Sequence, residues 1–280
     1  MSNTGESGSD AGGDDTGRDR SGPSAPGSVL AQPVPSGPRL PQPFTHIDTW
    51  VFDLDNTLYP SECNLFAQVD VRMGEFIAGY LGVPYDYARH LQKSYYRQFG
   101  TTLNGLMKVH GISPGSFLDY VHDIDISVVQ EAPGLRSAIE RLPGRKLIFT
   151  NGTIAHAERV AAKIGVLDLM DGISDIVATG YRPKPGADAF DAFIDTHGVE
   201  PASAAMFEDM PHNLEVPHAL GMTTVLIQST FIDHPAQAAA RKWQSPPDHI
   251  HHMTPCLERF LTELVSGGPE QITDREPQSS

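Results

Sequence analysis

The stretch Thr49-Trp50-Val51-Phe52-Asp53-Leu54-Asp55-Asn56-Thr57-Leu58-Tyr59-Pro60 decides the fold of this chain. It starts as a short apolar run of aromatic and β-branched residues, which is typical of a buried strand in a parallel sheet. The run ends at two carboxylates, Asp53 and Asp55. Ligands of open α/β sheets bind beyond the carboxyl ends of the strands, and side chains two residues apart share one side of a strand. The stretch therefore predicts a site where both acids face one ligand. The alternative is an ordinary strand-to-turn transition, because Asp and Asn favour turns.

The composition restricts the class of protein. The 280 residues, 39% of them hydrophobic, suffice for one large domain or for a core with a smaller insert. The formal net charge of -15 argues against nucleic-acid binding, while a small phosphorylated substrate is compatible if a metal offsets the charge locally. Cys63 and Cys256 provide neither a disulfide framework nor a metal-ligand spacing. No signal peptide or membrane-spanning run is recognisable, so we expect a cytoplasmic protein without a membrane partner.

Composition and periodicity divide the chain into segments. Residues 1–43 are rich in Gly, Ser, Pro and Asp and are predicted to be disordered, as are residues 266–280. Directly after the first strand, apolar residues at helical spacing predict helices at residues 65–80, 85–99, 102–110 and 116–121. We expect residues 61–134 to form a small helical cap, because an insert after the acid-bearing strand can close over the site and select the substrate.

From residue 133 onward, helix and strand patterns alternate. Strands are predicted at residues 146–149, 176–178, 204–209, 223–227 and 250–253, and helices at residues 135–142, 155–164, 188–197 and 256–265. This alternation is typical of a doubly wound parallel α/β sheet. We therefore expect a Rossmann-like core that comprises residues 44–60 and 135–265.

Polar residues at strand ends and in loops must converge if this chain carries a phosphotransfer site. The groups are Asp53/Asp55/Thr57, Thr150/Asn151, Lys184 and Glu208/Asp209. One carboxylate can attack phosphorus while a second acts as general acid and then as base. The attacking carboxylate and a phosphate are both anionic, so a cation is needed between them, and Mg²⁺ suits hard oxygen ligands. Thr150 and the backbone N–H of Asn151 are candidate phosphate donors, and Lys184 is a candidate to neutralise developing charge.

The block Asp53-Leu54-Asp55-Asn56-Thr57-Leu58-Tyr59-Pro60 resembles the first motif of the haloacid dehalogenase (HAD) superfamily, and specifically of its pyrimidine 5'-nucleotidase branch. Most members of this superfamily are phosphohydrolases. The resemblance extends from about residue 44 to residue 265. It implies that Asp53 is the nucleophile, that Asp55 is the general acid and base, and that Lys184 is the lysine of the third family motif.

The same resemblance implies a Mg²⁺ site. Its ligands would be Asp53, the backbone carbonyl of Asp55, and Asp209. Glu208 would belong to the acidic set at the metal as a carboxylate that orients water, with Asn213 as its neighbour in the loop. The companion carboxylate Asp53 is expected to raise the pKa of Asp55 toward the value that a general acid needs.

Substrate choice is expected to lie in the cap. The stretch Ser94-Tyr95-Tyr96-Arg97-Gln98-Phe99-Gly100, followed by Asn104, resembles the corresponding cap stretch of pyrimidine 5'-nucleotidases. Tyr95 and Tyr96 would stack on a base, and Arg97 or Asn104 would read its polar edge. The alternative is that the aromatic residues only pack inside the helical insert.

Together these features predict a Mg²⁺-dependent phosphohydrolase that acts on a pyrimidine nucleoside 5'-monophosphate through an aspartyl-phosphate. The alternatives are a phosphatase for another small metabolite, such as a sugar phosphate, and, less favoured, a phosphomutase. Dehalogenation is disfavoured because it needs neither Asp55 as an acid nor Mg²⁺. A silent binding module is disfavoured because every polar strand end is retained.

His156 and His212 follow strand-end motifs and are candidates to line the mouth of the site. The group His249, His251 and His252 fits a surface position better than a transition-metal site.

Overall fold

The computed structural model of the protein describes residue 40, residues 44–228 and residues 235–267. Six strands form one parallel sheet: β1 Thr49–Phe52, β2 Arg145–Phe149, β3 Gly172–Ser174, β4 Ala204–Glu208, β5 Thr223–Ile227 and β6 His252–Thr254. Their spatial order is β3-β2-β1-β4-β5-β6. This order is the classic doubly wound arrangement, and it confirms the predicted α/β fold with a parallel sheet.

Strand β1 lies at the centre of the sheet, where both faces are covered. Its residues suit this position, because Trp50, Val51 and Phe52 are apolar and the small side chain of Thr49 is also buried. Thr49 pairs with Arg145 of β2 on one side and with Ala204 of β4 on the other. Trp50 and Phe52 pack into the apolar cluster on one face of the sheet, and Val51 into the cluster on the opposite face. The strand order reverses between β1 and β4, so the residues that follow these two strands lie at the switch point, where such sheets bind ligands.

Ten helices are described. They are α1 Leu65–Leu81, α2 Tyr85–Phe99, α3 Thr102–His110, α4 Pro114–Val121, α5 Pro133–Arg141, α6 Ile154–Ile164, α7 Ala187–His197, α8 Glu215–Ala219, α9 Pro235–Ala240 and α10 Leu257–Val265. Helices α1 to α4 all lie between β1 and β2 in the chain and pack on one another. Within the described ranges, no helix is long and apolar enough to cross a lipid bilayer.

The predicted strand at residues 176–178 is wrong. These residues form a turn, and the strand of this region is β3, which begins four residues earlier. The turn forms because the carboxylate of Asp175 accepts hydrogen bonds from the N–H of Ala178 (2.8 Å) and of Ile154 (2.9 Å). A side chain that accepts hydrogen bonds from nearby N–H groups competes with the hydrogen bonds of a strand. The apolar residues that follow Asp175 suggest a strand because they carry no sign of this competition.

The other element boundaries differ from the prediction by a few residues. Strand β6 begins two residues after the predicted start at residue 250, and the short helices α8 and α9 were not predicted. Leu40 is described and is buried in the core, although it belongs to the segment predicted to be disordered. The rest of that tail, residues 1–39 and 41–43, and residues 268–280 of the second predicted tail lie outside the described residues.

A partly buried polar contact joins the first two helices of the insert. Arg89 of α2 forms an ion pair with the Asp70 carboxylate of α1 and donates to its backbone carbonyl (2.6 Å). Gln92 Nε2 donates to Asp70 Oδ1 (2.7 Å), and Lys93 lies 3.3 Å from the same oxygen. Partial burial acts to raise the pKa of Asp70, but Arg89 and Lys93 outweigh it and hold that pKa below its ordinary value. Asp70 therefore stabilises the insert in its ionised form.

We expect Asp70→Asn to lower the free energy of unfolding at neutral pH by about 1–2 kcal/mol, because the charged hydrogen bonds to Arg89 and Lys93 are lost. A depressed pKa contributes stability above the ordinary value of 3.8 and loses it as pH falls through the folded-state value. The difference between the variant and the wild type should therefore narrow in acid. Denaturant unfolding across pH measures this difference. Asp119→Asn, at an exposed position of α4, is the matched control, and a pH-independent gap would contradict the ionic role.

Candidate active site

The ammonium of Lys184 is the centre of the polar cluster at the switch point. Its Nζ donates to Asp53 Oδ1 (2.7 Å), to the Phe149 carbonyl (2.8 Å) and to Glu208 Oε1 (2.9 Å). Only 1% of the Lys184 side chain is exposed. Burial acts to lower the pKa of Lys184, but the two carboxylates outweigh it and raise that pKa above its ordinary value. Lys184 thus stays charged and joins the ends of β1, β2 and β4.

The loop that carries Lys184 is held by the residues that follow β2. Asn151 Oδ1 accepts a hydrogen bond from the Lys184 N–H (2.9 Å), and Asn151 Nδ2 donates to the Lys184 carbonyl (3.2 Å). Thr150 is buried, and its Oγ1 accepts from the Gly152 N–H (2.9 Å). The sequence predicted a role only for the backbone N–H of Asn151. The side chain of Asn151 has its own task, which is to fix the position of the lysine.

Three buried carboxylates converge beside Lys184. Asp53, Glu208 and Asp209 each place one oxygen within 4.8 Å of the others. Burial above all raises the pKa of Asp53 to about 7, although Lys184 acts in the opposite direction. Burial, and then the charges of Glu208 and Asp53, raise the pKa of Asp209 well above its ordinary value. Three acids around one ammonium leave an excess of two negative charges when all are ionised. An oxygen-rich site with this charge fits a hard divalent cation such as Mg²⁺.

Glu208 differs from the other two acids because protein donors hold both of its oxygens. Glu208 Oε1 accepts from Asn213 Nδ2 (2.6 Å) as well as from Lys184, and Glu208 Oε2 accepts from the Met210 N–H (2.6 Å). Burial acts to raise the pKa of Glu208, but Lys184 and these donors lower it. Glu208 therefore braces the loop that follows β4, which carries Asp209.

Asp55 lies in a different environment from Asp53. Its Oδ1 accepts hydrogen bonds from the Tyr59 hydroxyl (2.6 Å) and from His156 Nε2 (3.0 Å). Burial acts to raise the pKa of Asp55, but His156 and then Tyr59 lower it below its ordinary value. The expectation that Asp53 raises the pKa of Asp55 is therefore wrong, because these two donors dominate. Tyr59 was not predicted as a site residue. Its position four residues after Asp55 is the sequence feature that could have indicated a contact between them.

The turn after Asp55 explains how both acids reach the same edge of the sheet. Asn56 adopts a left-handed backbone conformation with φ of 61°, which Asn tolerates better than most residues. The N–H groups of Thr57 and Leu58 donate to the Leu54 carbonyl (3.3 and 3.0 Å). The Thr57 hydroxyl is buried and has no hydrogen-bond partner within the described part of the chain. The strand thus ends in a tight turn, as the Asp-Leu-Asp-Asn pattern indicates.

The four predicted cap residues lie in different surroundings in the structure. Tyr96 lies beside the carboxylates: its hydroxyl is 3.4 Å from His212 Nε2, and burial, followed by Glu208 and Asp209, raises its pKa to about 12. Tyr95 instead packs within the insert, where its hydroxyl lies 2.7 Å from His110 Nε2. These contacts correspond to the packing alternative for Tyr95.

Asn104 lines a cleft of about 380 Å³ between the insert and the Lys184 loop. Its lining residues are Phe99, Gly100, Asn104 and Lys108 from the insert and Tyr181, Arg182, Pro183, Pro185, Gly186 and Asp188 from the core. Arg97, the fourth predicted cap residue, is exposed and does not line this cleft. The cleft combines two aromatic rings, two cations, an amide and the Asp188 carboxylate.

The histidines fall into two groups. His156 and His212, the two candidates for the mouth of the site, contact Asp55 and Tyr96 respectively. Thr224 of β5 holds His251 Nδ1 through its N–H (3.0 Å), which gives that histidine a structural place at the sheet edge. Among the described residues, Asp53, Glu208 and Asp209 form the one cluster with the spacing of a metal site.

Comparisons with known proteins identify the family of this chain. Residues 47–221 match the sequence profile of the haloacid dehalogenase-like hydrolases. Phosphate metabolism protein 8 of Saccharomyces cerevisiae is 32% identical over 149 residues, which are 49% of this chain and 46% of that protein, so the chain matches about half the length of this curated relative.

Two solved structures share the fold. The HAD phosphatase from Thermococcus onnurineus has 18% identity and a TM-score of 0.53, and the match covers 80% of this chain and 100% of that one. CbbY from Rhodobacter sphaeroides, in complex with phosphate, has 15% identity and a TM-score of 0.54, with 78% and 99% covered. The family match spans more than half of the chain and confirms the predicted superfamily. The chain therefore belongs to the haloacid dehalogenase-like hydrolases.

Proposed function

We propose that this hydrolase is a Mg²⁺-dependent phosphatase that removes phosphate from pyrimidine nucleoside 5'-monophosphates through an aspartyl-phosphate on Asp53. The observation that carries the proposal is the pairing of two acids in opposite environments. Asp53 lies in an ionic cluster with Lys184, whereas Asp55 is held apart by the Tyr59 hydroxyl and by His156. Because the two acids contact different groups, Asp53 can act as the nucleophile beside Lys184 while Asp55, outside that cluster, exchanges the proton.

The chemistry follows from these roles. An Asp53 oxygen attacks phosphorus, the bond from phosphorus to the ester oxygen breaks, and a proton from Asp55 passes to the departing oxygen. Asp55 then takes a proton from water, and that water attacks phosphorus and releases Asp53. The Lys184 ammonium, 2.7 Å from Asp53, offsets the charge that gathers on the phosphoryl oxygens. Thr150 and the N–H of Asn151 are the proposed donors to those oxygens.

The proposed ligands of Mg²⁺ are Asp53, Asp209 and the backbone carbonyl of Asp55. When bound, the ion supplies the positive charge that lets an anionic carboxylate approach an anionic phosphate. Glu208 supports this site through the loop rather than through the ion, because Lys184, Asn213 and Met210 already hold both of its oxygens. The residues fit the ion because the buried acids outnumber the one ammonium.

Residues 61–134 are the proposed cap, and Tyr96 is the proposed contact to the base. Tyr96 belongs to the insert, and its hydroxyl lies 3.4 Å from His212 Nε2 in the loop after the β4 carboxylates, so it brings the insert next to the proposed phosphate site. The cleft beside Asn104 has the volume of a small-ligand site and supplies the second part of the proposal. The alternative substrate is another small phosphorylated metabolite. The name of the yeast relative, Phosphate metabolism protein 8, agrees with either class.

The proposed compartment is the cytoplasm. Cys63 and Cys256 are both free, as expected for a reducing environment. The proposed partner is the small substrate alone, because a net charge of -15 disfavours nucleic acid.

Asp53→Asn should reduce phosphate release by at least about 10³-fold, because an amide oxygen is too weak a nucleophile to form the phospho-enzyme. The measurement is phosphate release from UMP, CMP, AMP, GMP and sugar phosphates, with Mg²⁺ and with a chelator. We expect wild-type release to require Mg²⁺ and to favour UMP and CMP. Asp195→Asn, at an exposed carboxylate of α7 away from the cleft, is the control. Unchanged turnover in Asp53→Asn would refute the nucleophile, and a preference for sugar phosphates would refute the pyrimidine substrate.

Mg²⁺ at about 100 times its dissociation constant should stabilise the wild type by about 2.7 kcal/mol, since it binds only the folded protein. Asp209→Asn should lose this stabilisation. Calorimetry at pH 7 should also show proton release on binding, because a pKa of about 7 leaves Asp53 partly protonated in the metal-free site and the cation favours its ionised form. Asp195→Asn, at an exposed position of α7, should behave as wild type. An equal Mg²⁺ effect in Asp209→Asn would remove Asp209 from the ligand set.

Tyr96→Ala should raise KM for UMP about 10-fold, a loss of ~1.4 kcal/mol that is typical of one base stacked on an aromatic ring. Tyr96→Phe should stay near wild type, because stacking needs the ring and not the hydroxyl. Tyr87→Ala, an exposed tyrosine of the same helix, is the matched control. Steady-state kinetics on UMP and on a sugar phosphate provide the test. An equal loss on both substrates would show that Tyr96 does not contact the base.

A further inference from the structure

We propose that His156 is a positioning residue that fixes the orientation of the Asp55 carboxylate, so that Oδ2 of Asp55 is the oxygen that exchanges the proton with the substrate. This inference rests on the proposed phosphatase chemistry. Its basis is that two donors from different parts of the chain, Tyr59 and His156, both bind Oδ1. Within the described part of the chain, no hydrogen bond to Oδ2 accompanies them.

The first step of the argument concerns the two oxygens of Asp55. The hydroxyl of Tyr59 donates to Oδ1 at 2.6 Å, and His156 Nε2 lies 3.0 Å from the same atom. An oxygen that accepts two hydrogen bonds in a buried site is a poor place for a further proton. The proton that Asp55 gives to the leaving group, and later takes from water, is therefore carried by Oδ2. The two donors thus select the oxygen as well as the rotamer of the side chain.

The second step concerns why His156 can hold this position. Thr153 caps the start of α6, and its hydroxyl accepts from the His156 N–H (3.2 Å). His156 is therefore the third residue of the helix, where a capping box has Glu or Gln that folds back on the cap. His156 instead points its ring across to Asp55. Its Nδ1 is buried and finds no hydrogen-bond partner among the described residues, so the contact of Nε2 with Asp55 is the polar contact that orients the ring.

The third step concerns the other face of the His156 ring. His122, which follows α4 in the insert, stacks on it with ring centroids 4.5 Å apart and an angle of 18° between the planes. The side chain of His156 is 0% exposed, whereas that of Asp55 is 15% exposed. The histidine is thus fixed between the helix that carries it and the insert, while part of Asp55 remains accessible. A rigid donor next to an accessible acid is the arrangement that positioning requires.

The test uses esters that differ only in how much they need an acid. The leaving group of p-nitrophenyl phosphate departs without a proton, whereas that of phenyl phosphate needs one. His156→Leu should lower kcat/KM for phenyl phosphate about 10- to 100-fold more than kcat/KM for p-nitrophenyl phosphate. His156→Gln, which keeps an N–H donor near the position of Nε2, should recover most of the loss. In an Asp55→Asn background, His156→Leu should have almost no further effect, because the two residues act as one unit.

The control variant and the opposing outcomes distinguish a failure of the His156 role from a failure of the phosphatase function. His197→Leu, the same substitution at a half-buried histidine behind β3, should leave the ratio between the two esters at its wild-type value. Equal losses on both esters in His156→Leu, without recovery in His156→Gln, would reduce His156 to a packing role. Additive losses in the Asp55→Asn background would show that it does not act through Asp55. If the wild type released phosphate neither from these esters nor from UMP, CMP, AMP, GMP or sugar phosphates, the phosphatase function itself would fail, and this inference with it.

Discussion

The buried ammonium of Lys184 is the constraint on which the rest of this site depends. It bonds the Asp53 carboxylate, the Phe149 carbonyl and the Glu208 carboxylate, and so joins the ends of three neighbouring strands. A buried ammonium is costly unless it is paired, and these three acceptors match the three hydrogens that it carries. The same contacts hold the nucleophile candidate in place. The charge that stabilises this end of the sheet is therefore also the charge that the proposed chemistry uses.

The sheet order explains why these groups meet. β1 lies between β2 and β4, so the residues that follow these strands stand side by side at one edge. Lys184 is not on a strand. It reaches the cluster because the Asn151 side chain binds both the N–H and the carbonyl of Lys184. The strands thus position the acids Asp53 and Glu208, and the side chain of Asn151 positions Lys184, which joins them.

The sequence predicts the strand-end acids well because burial and parallel pairing impose a simple pattern on it. Asp53 and Asp209 each follow an apolar run, and that position alone indicates the shared edge. The partners of Asp55 are harder to predict. His156 lies 101 residues away in the chain, and its contact depends on how α6 packs rather than on local pattern. The error at residues 176–178 has a related cause, because the Asp175 side chain replaces a strand ladder with a turn.

The helical insert contacts the loop after β4 and the surroundings of Asp55 through different residues. Tyr96 of α2 lies beside the carboxylates that follow β4, whereas His122, after α4, stacks on the ring of His156. Helix α1 packs against both α2 and α4, so the two contacts belong to one packed unit. A movement of that unit away from the core would uncover the metal side and the acid side together. The packing of the insert therefore joins the surroundings of Tyr96 to the histidine that contacts Asp55, and a ligand that bound better to the packed arrangement would favour both contacts together.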